Sequence, residues 1–130
     1  MPTWADVDRI ASALPRSEAS TSYGNPCWKV RGRSAFVWQR PLRSRDLEEL
    51  GADAPGGMVI GVRVPPLVKD ALCDAEAPAV FATSHFTGFD AVLVDLDAVS
   101  PELLEDLVVE SWRDRAPARL RAEYDDATRD

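Results

Sequence analysis

One histidine, two cysteines and a dense run of cations are the residues of this 130-residue chain whose types could do chemistry. His85 is the only histidine and therefore the only side chain with an unperturbed pKa near neutrality. A dyad also needs a nucleophile and an orienting acid beside the imidazole. Ser84, Ser22, Cys27 and Asp90 are the available candidates, and their spacing makes no triad signature. The plainer expectation is a loop imidazole that hydrogen-bonds backbone or packs on an aromatic ring, with no catalytic residues in the chain. Cys27 and Cys73 are far apart and form no CxxC or Cys/His cluster, so buried, reduced thiols are expected and no zinc site, redox pair or cofactor.

The cations are the more informative group. Residues 19–45 hold Lys29, Arg31, Arg33, Arg40, Arg43 and Arg45 and no acid, while the whole chain carries a formal charge of −7. The remaining sequence must therefore be strongly acidic. On a strand, Lys29 and Arg31 fall on one face and Trp28 and Val30 on the other. If the turn that follows holds an even number of residues, Phe36 and Trp38 join the basic face, where cations interleaved with aromatics could hold phosphates and stack bases. The competing expectation is that these aromatics are core and that the arginines pair with carboxylates such as Asp46, Glu48 and Glu49.

The elements that must position these groups follow from periodicity. Thr3 with Asp6 three residues on starts a helix from about Thr3 to Leu14, ended by Pro15. Cys27 to Arg31 and Ala35 to Gln39 read as a hairpin turning over Arg31 to Ser34. Residues 41–57 read as a loop with one helical turn at Asp46 to Leu50. Met58 to Val62 is a strand, Pro65-Pro66 opens a helix to about Ala75, and Val80 to Ala82 and Ala91 to Leu96 are two more strands. Ser100-Pro101-Glu102 caps the strongest helix, with Leu103, Leu104, Leu107, Val108 and Trp112 as its apolar stripe. A short helix from Pro117 to Tyr124 and a solvated tail over 125–130 complete the chain. Strands joined mostly by hairpin-length connections predict an α+β fold, an antiparallel sheet covered by helices, in one domain.

At 45% hydrophobic and 28% charged residues the composition is that of an ordinary globular protein. The first ten residues, MPTWADVDRI, carry acids and no apolar targeting core, and no run approaches about 18 uninterrupted apolar residues, so a cytoplasmic monomer without a membrane partner is expected.

Three segments together are similar to the MmcQ/YjbR family. They are Thr21 to Arg33 (TSYGNPCWKVRGR), His85 to Phe89 (HFTGF) before a Val-Leu-Val strand, and Ser111-Trp112-Arg113 ahead of Ala116-Pro117. The resemblance spans nearly the whole chain, and Tyr23, Gly24, Pro26, Trp28, Lys29, His85, Gly88 and Trp112 carry it. It implies a CyaY-like, double-wing α+β domain of small bacterial cytosolic proteins, with DNA as the suggested partner and no catalytic residues to carry over.

Two functional expectations result, from different classes. In one, the basic hairpin Lys29, Arg31, Arg33, Arg40, Arg43 and Arg45 contacts a polyanion such as DNA, weakly and with steep salt dependence. In the other, Tyr23, Trp28, Lys29 and His85 line a pocket for a small molecule or a protein partner, and the basic stretch only balances acids.

Overall fold

The computed structural model describes residues 2–128. Helix α1 (Trp4–Ser12) starts where expected: the Thr3 backbone N–H donates to the Asp6 carboxylate at 2.7 Å, and Val7, Ile10 and Ala11 are buried. Strand β1 (Ser17–Ser22, sequence SEASTS) follows, in a place where no alternation of apolar residues announces a strand. It exists because all six of its residues pair with β2 (Asn25–Val30). Tyr23 and Gly24 link the two strands with φ of 50° and 82°. Two consecutive left-handed residues match the twist of a tight hairpin, and glycine takes the second position without strain.

The expected hairpin of β2 and β3 (Ala35–Gln39) is present, turning over residues 31–34. Its register holds a β-bulge: Trp28 faces Val37, whereas Lys29 faces Ala35, so Phe36 has no partner. The extra residue sends Phe36 into the core beside Val37 instead of onto a basic face with Trp38. Helix α2 (Ser44–Leu50) is slightly longer than the single turn expected. Then come β4 (Val59–Arg63), α3 (Pro66–Ala75), β5 (Val80–Phe81), β6 (Ala91–Asp95), α4 (Pro101–Arg115) and α5 (Ala118–Thr128). The tail expected from residue 125 is helical to Thr128, and residues 129–130 lie outside the described residues.

All pairings are antiparallel, in the order β1-β2-β3-β4-β6-β5, so the fold is α+β with a six-stranded sheet. Alternation along β4 and β6 divides the apolar residues between two layers. Ile60, Val62, Val92 and Val94 face α1 and α4 in the main core, with Val7, Ile10, Leu104, Val108 and Trp112. Trp112 is fully buried on the expected stripe, and its indole N–H donates to the Pro15 carbonyl at 3.0 Å. Val59, Ala91 and Leu93 belong to a smaller cluster on the other layer with Phe86, Trp38, Leu42 and Phe81. No helix among the described residues is long and apolar enough to cross a membrane.

Candidate functional site

Two members of the smaller cluster, Trp38 and Phe86, line a cleft of about 300 Å³. Its walls come from five places in the chain. The β1–β2 turn contributes Ser22, Tyr23 and Asn25, and β3 with its flanks contributes Ser34, Ala35, Trp38, Gln39 and Arg40. Arg43, Arg63 and the loop residues His85, Phe86 and Phe89 close the rest. Three arginines and the histidine face this space, and none of the lining residues is acidic, in a chain of charge −7. A second groove, lined in part by the same loop, has the opposite character, with Glu49, Asp70 and Asp90 in its lining and Lys69 as its one cation.

The aromatic residues form a connected set. Trp38 meets Phe89 edge-on at 6.5 Å, Phe89 meets Phe86 at 5.7 Å, and His85 meets Phe86 at 5.4 Å. Guanidinium groups cap two of these rings: Arg40 lies 5.4 Å from the Phe86 centroid and Arg63 5.1 Å from that of Phe89. Trp38 is held from beneath by a close approach, since a Cβ on Gly61 would fall 2.4 Å from its ring. The absence of a side chain at Gly61 is what lets the indole lie against β4.

The loop that carries His85, Phe86 and Phe89 is tied down from both sides. From α3, the Lys69 ammonium donates to the carbonyls of Phe86 and Phe89 at 2.5 and 2.7 Å. From α2, the Glu49 carboxylate accepts the Ser84 backbone N–H at 3.0 Å and its hydroxyl at 2.6 Å. Charge-assisted bonds of this kind are the stronger class, so the aromatic wall is held in place before any ligand arrives.

Arg40 and Asp46 make a buried ion pair at 3.2 Å under the cleft. Burial alone would raise the Asp46 carboxyl, but the Arg43 backbone N–H and the Arg40 guanidinium beside it hold it below the usual carboxylate range. The Arg43 N–H, 2.9 Å from that carboxylate, is also the start of α2, so one aspartate fixes both the helix terminus and the arginine. Burial, and repulsion from Arg115, lower the pKa of the Arg63 guanidinium, with Asp114 and Asp90 acting in the opposite sense. The two cysteines are free thiols, Cys27 buried and Cys73 half-buried, and burial raises the pKa of both.

Tyr23 and His85, two of the four residues expected in a pocket, line this cleft. Trp28 does not, because its cross-strand partner Val37 faces the main core and its indole N–H donates to Asp8 of α1 at 2.8 Å. Lys29 stands between Glu18 on β1 and Ala35 on β3 and is not among the lining residues. The six expected nucleic-acid contacts also separate. Arg40 is buried and paired with Asp46, which removes it from any exposed stripe, and Arg43 enters the cleft. Arg31 and Arg33 are exposed on the β2–β3 turn and Arg45 on α2, and none of the three makes an ion pair among the described residues. Sequence reasoning missed Arg63, Phe86 and Phe89. A visible signal for Arg63 was a lone charge between Val62 and Val64 in an otherwise apolar strand. No group of three or more His, Cys, Asp or Glu side chains is placed to hold a metal among the described residues.

Comparison with known proteins agrees with this architecture. The chain is 41% identical over 124 residues to the uncharacterised proteins Rv2570 of Mycobacterium tuberculosis (strain H37Rv) and Mb2600 of Mycobacterium bovis, covering 92% of this chain and 93% of each relative. The crystal structure of Deinococcus radiodurans protein DR2400, a DUF419 domain, superposes with a TM-score of 0.67 over 95% of this chain and 88% of that one, at 19% identity. It therefore shares the fold. The YjbR family's sequence model matches residues 12–114, a span that includes every residue lining the cleft. On that match, together with the fold, the chain belongs to the YjbR family.

Proposed function

We propose that this protein is a non-catalytic binding domain whose recognition element is the cleft, and that the cleft takes a small anion bearing a flat ring. The observation that carries this reading is the sign of the lining: Arg40, Arg43, Arg63 and His85 with no carboxylate, beside Trp38, Phe86 and Phe89. Arg40 is already matched by Asp46, which leaves Arg43 and Arg63 as the groups available to an incoming anion. A guanidinium presents a planar fork to an oxyanion, and an aromatic wall favours a ring over an aliphatic chain. Binding rather than turnover fits the state of the nucleophiles. The Ser84 hydroxyl donates to Glu49, and burial raises the Cys27 thiol pKa, disfavouring the reactive thiolate. Titration with benzoate and phenyl phosphate, followed by amide chemical shifts, tests the proposal. The expected result is saturable shifts centred on Trp38, Arg43, Arg63 and Phe89. Shifts absent at about 10 mM ligand, weaker than the millimolar end of the affinity scale, would overturn it.

A second reading is favoured by the exposed, unneutralised Arg31, Arg33 and Arg45. In it, these cations contact the backbone of DNA outside the cleft. Fluorescence anisotropy with duplex and single-stranded oligonucleotides at low salt tests it, and no binding at about 100 µM protein, the weak end of non-specific affinity, removes it.

A further inference from the structure

We infer that the cleft ends in a phosphate subsite formed by Ser34, Arg63 and Arg115, so that its ligand is a planar base carrying a phosphomonoester, in chemical class a mononucleotide. The inference rests on the reading of the cleft as an anion site and names the anion.

Ser34 begins the last part of the β2–β3 turn and lines the cleft. Its hydroxyl oxygen accepts from two guanidinium groups, Arg63 at the end of β4 and Arg115 at the end of α4, each at 3.3 Å. Two like charges thus converge on one neutral oxygen from different elements. Each guanidinium carries five N–H donors, and a single hydroxyl satisfies a small part of that capacity. Arg63 has no ion pair among the described residues and lies against the Phe89 ring, where water is partly excluded. Arg115 is paired with Asp114 at 3.1 Å. Asp114 and Asp90 are the carboxylates that attract Arg63, neither within ion-pair distance of it, while Arg115 repels it.

The shape of this donor set selects the ligand. A carboxylate offers two oxygens along one edge, which suits one fork. A phosphomonoester offers three terminal oxygens and a charge of about −1.5 to −2 at neutral pH, which suits two forks and a hydroxyl donor at once. The ring would lie among Trp38, Phe89 and Tyr23. Tyr23 is 96% exposed at the rim of the cleft, on a left-handed residue of the β1–β2 turn, so a large aromatic surface stands uncovered beside the space a base would fill.

Calorimetric titration of the intact protein with AMP, adenosine, inorganic phosphate and benzoate separates the possibilities. AMP is expected to bind at least about tenfold more tightly than adenosine or phosphate alone, the gain typical of a charge-assisted contact. Arg115→Gln should remove that gain while leaving adenosine unchanged, and Arg115→Lys should restore part of it. Ser34→Ala, at an exposed turn position, should weaken AMP about threefold with no loss of melting temperature, and Arg119→Gln on the outer side of α5 should change nothing. Equal binding of AMP and adenosine would overturn the subsite. So would AMP binding that ignores Arg115→Gln and is lost in Arg43→Gln, a result that leaves the anion cleft standing with its charge at the other end. Binding of benzoate without AMP has the same meaning. Failure of all four probes would remove the cleft reading as well.

Discussion

The two faces of the sheet are made by the same strands and could hardly differ more. On β4, Ile60 and Val62 face the helices, while Val59 joins the smaller cluster, Gly61 lies against Trp38 and Arg63 lines the cleft. The helix face is a continuous apolar layer, closed by α1 and α4 and fully buried around Trp112. The opposite face is covered by the short helix α2, one loop tied to it and a few large rings, and guanidinium groups there lie on aromatic faces or pair with Asp46. Apolar burial is concentrated on the first face, and the cleft that carries the proposed recognition lies on the second. A period of two is what lets a strand serve both.

That division makes graded predictions. Trp112→Ala should cost about 3–5 kcal/mol through lost burial and the cavity left behind, a large part of the roughly 5–15 kcal/mol typical of a domain. Urea denaturation measures it, and a variant that melts like the parent would mean that the helix face is not where stability resides. Asp46→Ala should cost about 3 kcal/mol, because it leaves the Arg40 charge buried without a partner. The same pair sets an acid limit. The Asp46 carboxyl is depressed in the folded state, so its contribution is complete above the unfolded value of about 3.9 and is lost as pH falls below it through the folded value. Urea midpoints should therefore decline below about pH 4 in the parent, and less steeply in Asp46→Asn.

Smaller effects probe the cleft itself. Gly61→Ala must displace the Trp38 indole and should cost about 1–2 kcal/mol by overpacking, with a shift in Trp fluorescence reporting the moved ring. Tyr23→Asn pulls the two faces apart: asparagine tolerates the left-handed conformation better, so stability should hold or rise by less than about 1 kcal/mol while ring ligands bind more weakly. Arg33→Ala, exposed on the turn, should change stability by less than about 0.5 kcal/mol. A larger loss there would show that the turn is part of the structural layer.

Much of the helix face was legible in advance. Thr3 and Asp6 begin α1, Ser100 and Pro101 begin α4, and the spacing of Leu104, Val108 and Trp112 predicts the buried stripe, because capping and helical periodicity are local properties of neighbouring residues. The family resemblance was readable from short motifs for the same reason. β1 was not legible, since SEASTS has no apolar alternation and becomes a strand only through pairing with β2. The cleft was legible in fragments. Tyr23, His85 and Arg43 stand out by type, yet what joins them to Arg63, Phe86 and Phe89 is a bulge at Phe36, the close approach of Trp38 to Gly61 and a loop tied by Lys69 and Glu49. The bulge depends on how two neighbouring strands pair, and the other two are contacts between residues distant in the chain. By itself the sequence determined composition, helix starts, the buried stripe and a surplus of cations over residues 19–45. Which of those cations is buried, which is exposed and which faces a cavity was decided by the tertiary structure alone, because a strand's pattern states that two faces exist and only its neighbours determine what covers each.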